Sequence, residues 1–125
     1  MLEPTKIYVE ELTRLINSKL INGCAHITGG GIKDNLSRII PDGKCAKIDL
    51  KKIKTKKVFS WLKKNKITDS EMLKTFNCGV GFVLIIKKNN LNKIKKYFKK
   101  NYKPYVIGEI VNGNSKVLLN GKINW

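Results

Sequence analysis

The chain has 125 residues, 42% of them hydrophobic and 8% aromatic, with 26 basic residues against 9 acidic ones for a net charge of +17. That length predicts a single domain, residues 1–125, able to bury about two-thirds of its extended surface without metal or disulfide staples, and the apolar content excludes wholesale disorder. No run approaches the ~20 apolar residues that span a bilayer, and Met1-Leu2-Glu3-Pro4 lacks the basic start and apolar run of a signal peptide, so a cytoplasmic, non-membrane protein is expected.

A strongly basic chain invites a nucleic-acid reading, because cations that neutralise phosphates release counterions. Only Arg14 and Arg38 are arginine, however, and readers of phosphate and base edges favour the planar guanidinium fork. Lysine, isoleucine and asparagine are abundant together, the mark of compositional drift at solvent-facing positions. Cys24, Cys45 and Cys78 are odd in number, form no Cys-x-x-Cys pair and have only His26 as a histidine companion. Reduced thiols are expected, with neither a disulfide framework nor a zinc site and no metal ligands assigned.

In chain order, Ile7-Tyr8-Val9 reads as a short extended lead-in to a helix with Leu12, Leu15, Ile16 and Leu20 on one face, stopping at Asn22-Gly23. Cys24 to Ile27 predicts a short strand running into Gly29-Gly30-Gly31. Ile32, Leu36, Ile39 and Ile40 then recur at helical spacing until Pro41. Pro41-Asp42-Gly43 is a turn, and Cys45 to Leu50 alternates as a strand with one wet face. Lys51 to Lys57 is a connector, followed by a short helix, Val58 to Lys64, with Val58, Phe59, Trp61 and Leu62 expected inward. Thr68-Asp69-Ser70-Glu71 has capping-box spacing and opens a helix carrying Met72, Leu73 and Phe76. After Asn77-Cys78-Gly79-Val80-Gly81, the apolar run Phe82 to Ile86 predicts a central strand. Leu91, Ile94, Phe98 and Tyr102 form the inner stripe of a helix whose lysines, Lys93 to Lys100, face outward. Tyr105 to Val111 and Lys116 to Leu119 are expected to pair as a hairpin through Asn112-Gly113-Asn114-Ser115. The fold class predicted is α+β, a mixed sheet of four to five strands with helices packed on it.

Three successive glycines between a strand and a helix carry a conformational-entropy cost of up to ~1 kcal/mol each relative to alanine, so they need a reason. One is anion binding: no side chains intervene, backbone N–H groups converge, Thr28 adds a hydroxyl, and Asn35 and Arg38 lie one and two turns into the helix. The other is a tight strand-to-helix turn with no ligand; the triplet fits neither the Walker pattern nor the dinucleotide fingerprint. His26, just before the loop, reads either as a hydrogen-bonded core histidine or as a proton shuttle. Asn77 can terminate its helix in the left-handed conformation, and Cys78 has no adjacent base to activate it.

Taken together, three motifs resemble the C-terminal half of the phosphoribosylformylglycinamidine cyclo-ligase (AIR synthase) family. They are Leu2-Glu3-Pro4-Thr5-Lys6-Ile7-Tyr8-Val9; Ala25-His26-Ile27-Thr28-Gly29-Gly30-Gly31 with Asn35 and Arg38; and Met72 through Thr75-Phe76-Asn77-Cys78-Gly79-Val80-Gly81. The likeness extends over nearly the whole chain, including Trp61-Leu62 and Tyr105-Val106-Ile107-Gly108. Selenophosphate synthases, thiamine-monophosphate kinases, a hydrogenase maturation factor and the amidotransferase that precedes this enzyme in purine synthesis share the superfamily. They do not carry the His-Ile-Thr-Gly-Gly-Gly form of the loop.

The resemblance implies a ligase of purine biosynthesis in which ATP phosphorylates the amide oxygen of formylglycinamidine ribonucleotide. An internal nitrogen then attacks, releasing 5-aminoimidazole ribonucleotide, ADP and phosphate. It also implies that ATP and Mg2+ are bound mainly by an N-terminal domain outside these 125 residues, that residues 1–9 lead in from that domain, and that the complete enzyme is a homodimer. The chain is then an excised domain, a fragment or a split-gene product, inactive alone. His26 is the implied catalytic residue; Thr28, Gly29, Gly30, Gly31, Asn35 and Arg38 would bind substrate or phosphate, and Asn77, Gly79 and Gly81 would line the same groove from the other side. The alternatives are another member of the superfamily, or a basic module binding nucleic acid or an acidic partner. Against nucleic acid, Tyr97, Phe98 and Tyr102 fall on the apolar face of their helix.

Overall fold

The computed structural model of the chain describes residues 6–99 and 102–125. The Leu2-to-Thr5 part of the first motif and Lys100 therefore lie outside the described residues. The chain divides into two compact units, one of Met1–Cys24 and Leu84–Tyr105, the other of Ala25–Val83 and Val106–Trp125.

The first unit opens with helix α1, Val9–Asn17, whose first turn carries Glu10 and Glu11 where the helix dipole favours negative charge. Glu10 pairs with Arg14 one turn on. Leu15 is buried, but the helix does not run on to Asn22-Gly23. It stops at Ser18, whose N–H bonds to Arg14 O, and Lys19 takes a left-handed φ of 56°. Residues Ile21–His26 form strand β1, so the Asn-Gly pair lies inside a strand. The lysine-rich helix is also shorter than its apolar period suggests: a 3₁₀ turn, Lys88–Asn90, leads into helix α5, Leu91–Lys95, where Ile94 is buried. Tyr102 closes this unit, edge-on to Tyr8 at 6.1 Å with the Lys6 ammonium 4.6 Å over its ring.

The second unit contains a three-stranded sheet in the order β4-β2-β5. Strand β2, Lys44–Asp49, is its centre, flanked by β4, Gly108–Asn112, and β5, Val117–Asn120. The expected hairpin does not form. Ala46 stands opposite Ile110 in an antiparallel ladder and opposite Val117 in a parallel one, so β2 separates the two strands. Gly113 N–H bonds to Gly43 O and Lys116 O accepts from Ala46 N–H, which carries the linking loop across the start of β2. Lys116 Nζ fastens it further to Ile40 O and Asp42, each at 2.8 Å. The wet-face expectation for Cys45 to Leu50, with Lys47 and Asp49 outward, holds fully only at Lys47, because Asp49 is half-buried and Cys45 and Ala46 are both buried.

The apolar run Phe82–Ile86 forms strand β3, paired with β1 in a separate two-stranded sheet. It is not the middle of the larger sheet, and only Val83 in it is buried. Among the described residues, five strands in two sheets, with five α-helices, make the class α+β. The core of the second unit includes Ile27, Ile32, Leu36, Ile40, Ile48, Leu50, Ile53, Met72 and Val117, whereas β4 contributes no buried side chain.

Two short helices lie side by side in sequence and differ sharply. Helix α4, Asp69–Thr75, has the complete capping box: Thr68 Oγ1 accepts from Glu71 N–H while the Glu71 carboxylate accepts from Thr68 N–H. The Thr68 hydroxyl also donates to that carboxylate at 2.8 Å, and this bond, with the one from Thr68 N–H, holds the Glu71 carboxyl below its ordinary pKa. Helix α3, Lys57–Lys64, has no side-chain cap and no buried residue. Phe59 meets Phe76 at 6.2 Å, but Val58 and Trp61, expected inward, are 47% and 63% exposed. A helix of two turns has room for one inward stripe, and Phe59 and Leu62 occupy it.

Candidate functional site

The glycine bend sits between β1 and helix α2, Gly31–Ser37. Thr28 and Gly29 are exposed and Gly31 is buried. Gly30 (φ 91°) and Gly31 (φ 63°) both take left-handed backbone, which an L side chain rarely adopts. A Cβ on Gly31 would overlap the Leu73 carbonyl oxygen, so this glycine lets α2 approach the end of α4. Its N–H is also occupied, bonding to Thr28 O at 3.1 Å. The third glycine of the triplet is thus a packing residue, and only Gly29 and Gly30 leave N–H groups without an acceptor among the described residues.

Asn35 organises the bend from inside. It is 7% exposed, and its Nδ2 donates to Gly31 O at 2.8 Å and Gly29 O at 3.1 Å, with a longer 3.5 Å approach to Thr28 O. Thr28 Oγ1 lies 3.5 Å from Asn35 Oδ1. A buried amide that closes two carbonyls of its own loop fixes where the remaining N–H groups point. Arg38 is exposed at the C-cap of α2, its side chain without a hydrogen-bond or ion-pair partner among the described residues.

The second bend joins the first through Ile27 N–H, which donates to Gly81 O at 3.0 Å. Most of its groups close on the protein. Asn77 Oδ1 accepts from Gly79 N–H at 3.0 Å and Asn77 O from Val80 N–H at 2.9 Å. The left-handed residue after α4 is Cys78 (φ 51°), not Asn77. Gly79 (φ 96°) presses on the carbonyl of Lys54, where a Cβ would come within 2.9 Å. The Cys78 Sγ is buried against Met72 O at 3.4 Å, and burial pushes its pKa up to about 11, which keeps it a thiol at neutral pH and no nucleophile.

His26 is exposed at the end of β1, so it is not a core histidine. Its ring stacks on Phe82 with centroids 5.5 Å apart and planes 15° from parallel. This neighbour was invisible in the sequence, 56 positions away. Also unforeseen is a cleft of about 210 Å³ between Leu50, Asp69, Leu73, Lys122 and Trp125. There Asp69 accepts from Trp125 Nε1 at 2.9 Å and pairs with Lys63 at 2.7 Å, which holds its carboxyl below the ordinary value.

A glycine bend held from within by a buried amide, preceded by an exposed imidazole and bonded at Ile27 to a second glycine bend, lies in a domain of the α+β class. The chain belongs to the family described as AIR synthase related protein, C-terminal domain, which it matches over residues 1–120. It is 42% identical over 122 residues to the phosphoribosylformylglycinamidine cyclo-ligase of Carboxydothermus hydrogenoformans, covering 96% of this chain and 35% of that protein. Against the cyclo-ligase of Staphylococcus saprophyticus it is 38% identical over 122 residues, again 96% of this chain and 36% of the relative. The trifunctional purine biosynthetic protein adenosine-3 of Chironomus tentans matches at 42% over 111 residues, 88% of this chain and 8% of that protein. The chain therefore spans about a third of the length of the two cyclo-ligases it matches.

Proposed function

We propose that this chain forms the substrate-side domain of an ATP-dependent phosphoribosylformylglycinamidine cyclo-ligase acting in purine biosynthesis. Support comes from the family membership and from one observation: Asn35 holds the Thr28-to-Gly31 bend from within while its outer face, Thr28 and Gly29, stays in solvent. A loop whose only duty was to turn the chain would not need the unoccupied half. In this reading the Gly29 and Gly30 N–H groups and the Thr28 hydroxyl donate to a phosphate of formylglycinamidine ribonucleotide or to the transferred phosphoryl group, with Arg38 adding charge.

His26, exposed and held flat against Phe82, serves as the proton-transfer or orienting group beside the reacting amidine. Asn35 and Gly31 support the bend, and Asn77, Gly79 and Gly81 support it from the second bend. Among the described residues no three His, Cys, Asp or Glu side chains converge as metal ligands. As the family resemblance implies, ATP and Mg2+ are in this reading held by the N-terminal domain of the same enzyme or a split-gene partner, and the complete enzyme is taken as a cytoplasmic homodimer.

The test is a titration of the labelled chain with ribose 5-phosphate, followed by NMR. Shifts at Gly29 and Gly30 that saturate, with Gly79 moving less, are expected; unmoved glycine resonances at millimolar ligand would overturn the phosphate-site reading. The purified chain alone is expected to show no ATP-dependent cyclisation, and measurable turnover would refute the division of labour.

A further inference from the structure

The helix that contradicts its sequence pattern points to a second surface. Lys57, Val58, Trp61 and Lys64 share one face of α3 at helical spacing, and all four are exposed. Around them, residues 51–66 hold eight lysines and no carboxylate. Lys63 is engaged inward with Asp69 and Ile67 O, whereas Lys57 and Lys64 have no ion-pair partner among the described residues. An indole 63% in solvent, three residues along the helix from an exposed valine and bracketed by uncompensated ammonium groups, is the arrangement of an interface hot spot with a charged rim.

We propose that this face docks onto an acidic-rimmed apolar recess on a protein surface, supplied by the part of a cyclo-ligase that lies outside the matched third. This rests on the reading under Proposed function. Charge complementarity selects the occupant. A second copy would set lysines against lysines across a two-fold contact. A single-stranded nucleic acid wants successive rings along a groove, and α3 offers one exposed ring beside an aliphatic knob, with Phe59 turned in upon Phe76. The relatives are nearly three times as long as the matched segment, which provides a covalent source for such a surface.

The test replaces the matched segment of the Carboxydothermus hydrogenoformans cyclo-ligase by this chain and compares the chimera with the free 125-residue chain. Hydroxyl-radical footprinting read at Trp61 is expected to fall about fivefold or more in the chimera, and a Lys57→Glu/Lys64→Glu pair should restore it. A monodisperse, folded chimera with Trp61 oxidised as fast as in the free chain would overturn the proposal. Turnover is read separately: a chimera that cyclises with Trp61 unprotected sinks the docking surface and spares the proposed function, and protection without turnover does the reverse. Should the chimera not fold, this chain and the remainder of the relative are expressed separately and mixed; a complex lost in Trp61→Ser supports the proposal and no complex refutes it. Protection of Trp61 by oligothymidylate at physiological salt, or a dimer of the free chain abolished by Trp61→Ser, would also overturn it.

Discussion

The two glycine bends use the same residue types to opposite ends. In the bend at 77–81, an asparagine side chain, a buried thiol and two backbone bonds close most groups on the protein, and Gly79 lies against the Lys54 carbonyl. In the bend at 28–31 only the inner half is closed, by Asn35 and by the Gly31 N–H bond, while Gly29 has open space where a Cβ would stand. The bend at 77–81 is largely closed by the protein, and the bend at 28–31 keeps one face in solvent, the face proposed above to take a phosphate. The comparison can be broken by substitutions that separate packing from binding.

The largest effect is expected for Gly31→Ala, which adds left-handed strain to an overlap with the Leu73 carbonyl oxygen. It should cost more than about 3 kcal/mol, seen as a collapsed urea midpoint or insoluble protein. Asn35→Ala leaves the Gly29 and Gly31 carbonyls without their buried donor and should cost about 1–3 kcal/mol, while blurring the Gly29 and Gly30 amide resonances. If the protein keeps its midpoint, the amide does not pre-set the loop.

Cys78 marks the closed bend. Its folded pKa is raised by burial to about 11 from an ordinary 9.0, so the thiol's contribution to stability is intact below pH 9 and is lost as pH rises toward 11. The slope of stability against pH in that window should be steeper in the parent chain than in Cys78→Ala, and equal slopes would show the thiol to be solvent-accessible. Gly29→Ala should be the mildest of the four, within about 0.5 kcal/mol of the parent, because a Cβ there meets nothing within 4 Å. It should nonetheless weaken the ribose 5-phosphate response. Unchanged binding in this variant would erase the distinction between the two bends.

Local chemistry was legible wherever neighbours in sequence are neighbours in space. The Thr68 capping box, the Pro41-Asp42-Gly43 turn and the order of strand, glycine bend and helix around Gly29-Gly30-Gly31 appear as their spacing predicts, although the strand begins at Ile21 and not at Cys24. Misreadings came where contacts are distant. The 113–116 loop resembles a hairpin turn, but β2 offers backbone partners on both edges and takes the place between β4 and β5. Val58 and Trp61 match an inward stripe by composition, and only the position of Phe76 shows that Phe59 holds that place. Within the site, Gly31 as a packing residue and Phe82 as the support of His26 depend on Leu73 and on a strand 56 residues away.

By itself the order of residues determined the α+β class, the Thr68 capping box and the family, because capping, turn chemistry and motif spacing act over a few positions. Tertiary structure alone decided which glycine amides stay open, which ring supports His26 and which face of α3 stays in water. Those outcomes depend on backbone approach and competition for burial between segments far apart along the chain, and no local pattern encodes the winner.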